Sequence, residues 1–195
     1  MLRNWGLPAR RAAVRVVIVL TVAALSVVLV ACGGGDADEP ERAAPSPTLS
    51  PTSDGVEAGA AAKALAAYDG FQEAYIAAFA DPGGGSGRLA EYAGSQLLAQ
   101  VRFSLQSHAD QGLVIRGRPV WSPTVVEVNL MTRPFSVLIR DCFDQSGLRT
   151  VYEATGKSAA APGQASRYLV DSKAELYDDG RWLMSTSEAH RDRPC

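Results

Sequence analysis

The fold is decided by residues 167–189, RYLVDSKAELYDDGRWLMSTSEA. From Arg167 to Tyr177 apolar and polar side chains alternate, which is the period of a strand with one buried and one solvated face. Asp178-Asp179-Gly180 follows as a hairpin turn signal, and Arg181–Ala189 is predicted as the returning strand. The side chains predicted on the buried face of the first strand are Tyr168, Val170, Ala174 and Leu176. The stretch therefore predicts an antiparallel hairpin that covers apolar elements on one side.

The two-residue period begins well upstream of this hairpin, at Leu113. Four more strands are predicted at Leu113–Val120, Thr124–Leu130, Phe135–Phe143 and Leu148–Glu153. The last two are separated by the turn residues 144–147, Asp-Gln-Ser-Gly. The second half of the chain therefore predicts an antiparallel sheet of five to six strands.

A different period, of three to four residues, governs the chain before Leu113. Ala58–Ala80 is predicted as a helix, and alanine between its apolar positions favours that conformation. Its apolar face is predicted to comprise Leu65, Tyr68, Phe71, Gln72, Tyr75, Ile76 and Phe79. A short helix at Arg88–Ala93 and a second long one at Gln96–Ala109 follow. Helices followed by strands predict an α+β domain over residues 58–195.

The first 31 residues have the pattern of an export signal. Four arginines and no acid precede an apolar run, Val16–Val30, and small residues follow it. Leu29-Val30-Ala31-Cys32 resembles the bacterial lipobox, which implies a diacylglyceryl group on the Cys32 sulfur and cleavage just before it. The alternatives are plain secretion and an uncleaved anchor. The lipobox predicts an anchor at the outer face of the cytoplasmic membrane, since two acyl chains hold firmly.

Residues 32–57 are predicted to be a disordered tether. They contain six acids, one arginine and four prolines, with almost nothing apolar to bury. From Ala58 onward the chain has 14 basic and 15 acidic residues. This balance argues against nucleic-acid binding, which needs a basic face. Arginine outnumbers lysine 16 to 3 and alanine is abundant, a composition typical of an actinobacterium.

Two cysteines besides Cys32 remain to be assigned. Cys142 and Cys195 are an even pair in an oxidising compartment, which predicts one disulfide; two unpaired thiols are the alternative. A metal site is not predicted, because the chain has no Cys-x-x-Cys and only two histidines, His108 and His190. No cofactor motif is present either: the glycine run at 83–87 lacks the Lys-Ser/Thr ending of a phosphate loop.

The order of elements resembles the NTF2-like superfamily, in which a curved sheet wraps a long N-terminal helix into an open cone. The likeness rests on the aromatic first helix and on Asp178–Met184, which is similar to the family's Asp-Gly-x-Trp-aliphatic hairpin. The chain as a whole resembles actinobacterial lipoproteins of unassigned function, with an Asp141-Cys142 pair in mid-sheet and a terminal cysteine. The resemblance implies a cone that opens at one end. Enzymes of this superfamily place an acid inside the cone, but no local motif marks that position here.

Asp141 is the candidate catalytic residue. It alternates with Val137, Ile139 and Phe143, so if that face lines the cone its carboxylate is a general base with a raised pKa. If the other face points inward, Asp141 is solvated. A third interpretation is structural, with Asp141 paired across strands to an arginine. The arginines considered are Arg140, Arg149 and Arg167.

Aromatic and histidine side chains provide weaker candidates. Tyr75, Phe79, Trp121 and Trp182 are candidates to line a ligand pocket, although aromatics at this spacing are more often core. A buried Tyr75 phenol needs a hydrogen-bond partner. His190, near Glu188 and Asp192, is predicted as a solvated terminal histidine. His108 is predicted to interact with the carbonyls at the end of its helix.

The favoured function is a non-catalytic domain on a membrane tether, which binds a small apolar molecule in the cone or an envelope protein on its sheet. The first alternative is an isomerase- or cyclase-type enzyme with Asp141 as base. The second is a scaffold for an envelope assembly, in which the sheet forms a homodimer.

Overall fold

The computed structural model describes residues 53–84, 86–160 and 162–195. The predicted signal peptide, Cys32 and the tether as far as residue 52 lie outside the described residues. All of the described residues belong to one compact unit. None of the helices in the described ranges has the length and apolarity needed to span a bilayer.

Helices precede strands, so the predicted α+β order is confirmed. The helices are α1 (Ser53–Ala80), α2 (Leu89–Tyr92) and α3 (Ser95–Asp110), with one 3-10 turn at Ser86–Arg88. The strands are β1 (Leu113–Gly117), β2 (Thr124–Asn129), β3 (Ser136–Asp144), β4 (Leu148–Tyr152), β5 (Arg167–Leu176) and β6 (Trp182–His190).

Helix α1 starts at Ser53, five residues before the predicted start at Ala58. The prediction of a tether up to residue 57 is corrected accordingly, because residues 53–57 belong to the helix. Asp54 in the first turn interacts favourably with the positive end of the helix dipole, and this offsets the low apolar content of that turn.

The second half of α1 is enclosed by the rest of the domain. Between Phe71 and Phe79 only Ala77 is exposed. Tyr68, Phe71 and Phe79 belong to the main hydrophobic core together with residues from α3, β3, β5 and β6. The predicted apolar face of the helix is therefore confirmed, and alanines such as Ala74 and Ala78 are buried beside it.

The strands are divided between two antiparallel sheets, where the sequence predicts one sheet of five to six strands. The larger sheet has the order β2-β3-β5-β6, and β1 pairs with β4 in the smaller one. Gly117 ends β1 with a φ of 93°, and a side chain there would overlap the carbonyl oxygen of Gly147. The β1–β4 ladder ends at the pair Gly117–Leu148, and an isolated bridge joins Val120, in the connection to β2, to Asp144 of β3.

The predicted β5–β6 hairpin is confirmed, including its two faces. Tyr168, Val170, Ser172 and Ala174 are buried, whereas the positions between them are half-buried. Leu176, also predicted on the buried face, is half-buried at the end of the strand. The backbone N–H of Tyr177 donates to the carbonyl of Arg181 at 2.9 Å and closes the turn. The helices therefore cover one face of the larger sheet, and the other face is open.

The predicted pairing of the two cysteines is found on this open face. The sulfur atoms of Cys142, on β3, and Cys195 lie at bonding distance, with Cα atoms 5.9 Å apart. The backbone N–H of Leu169 donates to the carbonyl of Arg193 at 3.0 Å, which holds the last residues against β5.

Candidate ligand cavity

A cavity of about 820 Å³ lies between α1, α3 and the strands. Phe71, Ile76 and Val101 contribute apolar surface from the two long helices, and residues of β1, β4, β5 and β6 form the opposite wall. The connection between β4 and β5 contributes the remaining side through Ala159, Ala160, Gly163, Gln164 and Ser166. Helix α3 is therefore one wall of a pocket as well as a packing element.

The described residues that line the cavity include no aspartate or glutamate. Arg191 is the one arginine or lysine among them, and His108 is the one histidine. The remaining polar lining consists of neutral serine, threonine, glutamine and tyrosine side chains. The cavity therefore has a neutral interior and a single guanidinium.

Gln145 makes three side-chain hydrogen bonds on the side of the cavity that carries this guanidinium. Its Oε1 accepts from Arg191 Nη1 at 3.1 Å and from the Tyr168 hydroxyl at 3.3 Å. Its Nε2 donates to the carbonyl of Ala165 at 2.7 Å. The Arg191 guanidinium also lies 4.7 Å from the centre of the Tyr168 ring, a cation–π geometry. Because Arg191 is solvent-exposed, this group forms the rim.

Tyr75 is the sequence-predicted ligand residue that lines this cavity. Its ring lies 4.4 Å from that of Phe79 and 5.9 Å from that of Phe71, centre to centre. Burial raises the pKa of its phenol to about 12. No hydrogen bond joins the Tyr75 hydroxyl to the other described residues, so this donor is available to a ligand.

His108 also lines the cavity, and its environment differs from the predicted one. Its ring meets Phe79 edge-on at 4.8 Å, and its Nδ1 is buried without a hydrogen-bond partner among the described residues. Burial lowers the pKa of the imidazole. The expected interaction with the helix end is absent here because Gln111 takes that role, donating to the carbonyl of Ser107.

The other three predicted aromatic residues lie outside the main cavity. Phe79 is 1% exposed and belongs to the core beneath it. Trp121 packs against the core and donates its Nε1 hydrogen to Asp69 at 2.9 Å. Trp182 lines a separate groove of about 300 Å³ beside Tyr92.

Asp141 faces inward, which confirms the first of its predicted orientations, but it does not line the cavity. It is 1% exposed. Its Oδ2 accepts from the Tyr68 hydroxyl at 2.7 Å, and its Oδ1 accepts from the backbone N–H of Ser122 at 2.6 Å. Burial raises the pKa of this carboxyl, and the two hydrogen bonds offset part of the rise. Each oxygen already has a donor within the protein.

The predicted alternative of an ion pair between Asp141 and a neighbouring arginine is wrong. Arg140 points to the open face of the sheet and binds Asp171 at 2.7 Å. Arg167 lies 3.8 Å from Asp144. Adjacent residues of a strand point to opposite faces, so the buried Asp141 and Arg140 cannot meet.

His190 pairs with a different acid from those near it in sequence. Its Nε2 lies 3.2 Å from Asp171 Oδ2, on the neighbouring strand, and its side chain is 21% exposed. The prediction of a solvated histidine near Glu188 and Asp192 is corrected accordingly. Arg140 also binds Asp171 and holds the pKa of that carboxyl below its ordinary value. This polar cluster lies on the open face, away from the cavity.

Sequence reasoning missed Gln145, Arg191 and the polar role of Tyr168. Alternation along β5 placed Tyr168 on the buried face, but it carried no information about the hydroxyl. Gln145 lies in a predicted turn, and Arg191 follows the last strand, where arginines are usually solvated. Nothing in the local sequence distinguishes them from other polar turn residues.

No known protein-family profile matches the chain, and no curated protein matches it significantly. Among solved structures, the intermembrane-space region of the chloroplast protein ARC6 is similar at 13% identity, over 66% of this chain and 95% of that chain, with a TM-score of 0.49. A de novo designed β-sheet protein is similar at 14% identity, over 66% of this chain and 89% of that chain, with a TM-score of 0.32. Function is therefore inferred from the cavity alone.

The described residues contain no cluster of three or more histidine, cysteine, aspartate and glutamate side chains that could hold a metal ion. The cavity provides instead an apolar space, a free phenol and one guanidinium. This arrangement can enclose a small molecule and orient it.

Proposed function

We propose that this chain is a lipoprotein at the outer face of the cytoplasmic membrane, whose NTF2-like domain binds a small apolar molecule without transforming it. The observation that carries the proposal is the cavity of about 820 Å³ between α1, α3 and the sheets. Ligand pockets of proteins span roughly 300–1,000 Å³ and combine apolar walls with a few polar groups. Tyr75 and Arg191 are such groups here.

The cone architecture is supported by the position of α1 and by the link between the sheets. The helix is enclosed between Phe71 and Phe79, and the Val120–Asp144 bridge joins the connection that follows β1 to β3 of the larger sheet. In the proposed cone, the two sheets curve together around the helix and leave an opening beside the exposed Arg191.

The position of Asp141 favours binding over catalysis. A general base needs hydrogen-bond reach to the substrate proton. Asp141 does not line the cavity, and Tyr68 and Ser122 already donate to its two oxygens. These contacts favour a structural role, in which the carboxylate joins α1 to β3.

Native mass spectrometry tests ligand binding. The compact unit, residues 48–195, is secreted from an actinobacterial host so that Cys142 and Cys195 can pair. An added mass that survives purification and leaves on denaturation is expected. A bare polypeptide mass, together with no binding of apolar probes, overturns the proposal and directs attention to protein partners.

Lipidation is tested on the full chain. Metabolic labelling with an alkyne fatty acid is expected to mark the protein, and Cys32→Ser is the matched control that abolishes the label. Labelling that persists in Cys32→Ser contradicts the assignment of the lipid to this sulfur.

A further inference from the structure

The charged side chains that line the cavity are of one sign. Its described lining has one guanidinium, Arg191, and no carboxylate. Arg191 is the one fixed charge at the solvent-exposed rim of this space, so its sign sets the preference between charged ligands. Cationic ligands are disfavoured here, and an anionic group at the rim is favoured.

Arg191 has binding capacity that the protein does not use. A guanidinium has five N–H donors in a planar fork that matches carboxylate and phosphate oxygens. Within the described part of the chain, Arg191 donates one side-chain hydrogen bond, to Gln145, and no acid lies within ion-pair distance. Several donors therefore remain free for a ligand.

The guanidinium is also held in place before a ligand arrives. Tyr168 lies under it, and Gln145 binds both side chains while its own amide is fixed to Ala165. Ordering of a flexible arginine is a cost of binding that this arrangement reduces. Behind the rim, Phe71, Ile76 and Val101 provide apolar surface.

We infer that the cavity selects amphipathic molecules with one anionic head group, carboxylate or phosphate, which binds Arg191 while the apolar tail lies between α1 and α3. This inference rests on the proposed function and specifies its ligand class. It assigns to Arg191 the discrimination between anionic and neutral molecules of the same length.

The test uses probes that share one tail. Binding of decanoate, decyl phosphate, decan-1-ol and decyltrimethylammonium to residues 48–195 is measured by calorimetry at neutral pH. The variants are Arg191→Gln and the matched control Arg149→Gln, which removes an exposed arginine outside the cavity lining. Circular dichroism checks that each variant is folded.

The two anions are expected to bind about tenfold more tightly than the alcohol, since hydrogen bonds from a guanidinium to an anion are charge-assisted, although solvent at the exposed rim weakens them. Arg191→Gln is expected to remove this preference and leave alcohol binding unchanged, whereas Arg149→Gln keeps the preference. A preference for one anion over the other identifies the head group.

Equal affinity for alcohol and anions in the unmodified protein overturns the inference while the binding function stands. An equal loss of anion affinity in both arginine variants also overturns it, because general electrostatics then explain the preference. If no probe binds, the binding function itself fails and the inference fails with it.

Discussion

Replacement of Tyr68 by phenylalanine tests whether the buried Tyr68–Asp141 hydrogen bond supports the fold. Tyr68 is 0% exposed and Asp141 is 1% exposed, so water cannot replace the lost hydroxyl. A buried acceptor left without a donor costs about 1–3 kcal/mol. The free energy of unfolding is therefore expected to fall by about 2 kcal/mol, and the melting temperature by roughly 6 °C for a domain of this size.

The loss is expected to depend on pH. Burial raises the pKa of Asp141 above the ordinary value of 3.8, so the folded state binds more protons between these two values. The contribution of Asp141 to stability is therefore present below the pKa of the unfolded state and is lost as pH rises through the pKa of the folded state. Because the Tyr68 hydroxyl lowers the pKa of Asp141, Tyr68→Phe is expected to raise this pKa further and to enlarge the loss of stability between acid and neutral pH. The decrease in the free energy of unfolding caused by Tyr68→Phe is therefore expected to be largest at neutral pH and smaller in acid.

Urea unfolding of residues 48–195 at several pH values measures both effects. Tyr75→Phe is the matched control, because Tyr75 lies on the same helix and makes no hydrogen bond to the described residues. Its cost is expected to be below about 0.5 kcal/mol. Asp141→Asn alone and with Tyr68→Phe completes a double-mutant cycle, in which contacting residues couple by about 0.5–3 kcal/mol. Equal costs for the two tyrosine variants at all pH values refute the reasoning.

Three more predictions concern the disulfide, a tight helix start and the open face. Cys142→Ser is expected to lower the free energy of unfolding by up to about 4 kcal/mol in urea, and reductant is then expected to have no further effect. Gly94→Ala is expected to cost about 1–3 kcal/mol in a thermal melt, because its methyl group would overlap the Tyr177 hydroxyl; an unchanged melting temperature contradicts this. Asp171→Asn is expected to flatten the acid side of the stability profile. Arg140 lowers the pKa of Asp171, so its contribution is present above the ordinary carboxyl pKa and lost as pH falls; an unaltered acid limb contradicts this.

The two periods of the sequence account for most of the fold. Alternation along β5 assigned its buried face, because register in a one-sided sheet is fixed by which side chains avoid water. The three- and four-residue spacing from Tyr68 to Phe79 assigned the buried face of α1. The division into two sheets was not predicted, although Gly117 was a signal, since glycine within a strand often marks a bend.

The cavity was not predictable from local pattern. Its walls come from segments far apart in the chain, and its volume depends on how α3 is spaced from the strands. Sequence reasoning left open whether Asp141 faces inward, and the structure buries it. It could not identify Tyr68, which is 73 residues away, as the donor that makes this acid part of the packing.

The 73-residue separation of Tyr68 and Asp141 also predicts an order of events in folding. Closing a contact across 73 residues is slow, so α1 has no sheet to pack against until β3 has paired. A 28-residue helix rich in alanine exceeds the length at which isolated helices become marginal, and helices form within about a microsecond. The alanines therefore let α1 form early as a template on which the strands condense. Glycine substitutions at exposed positions of α1, such as Ala77, would then slow folding more than they speed unfolding.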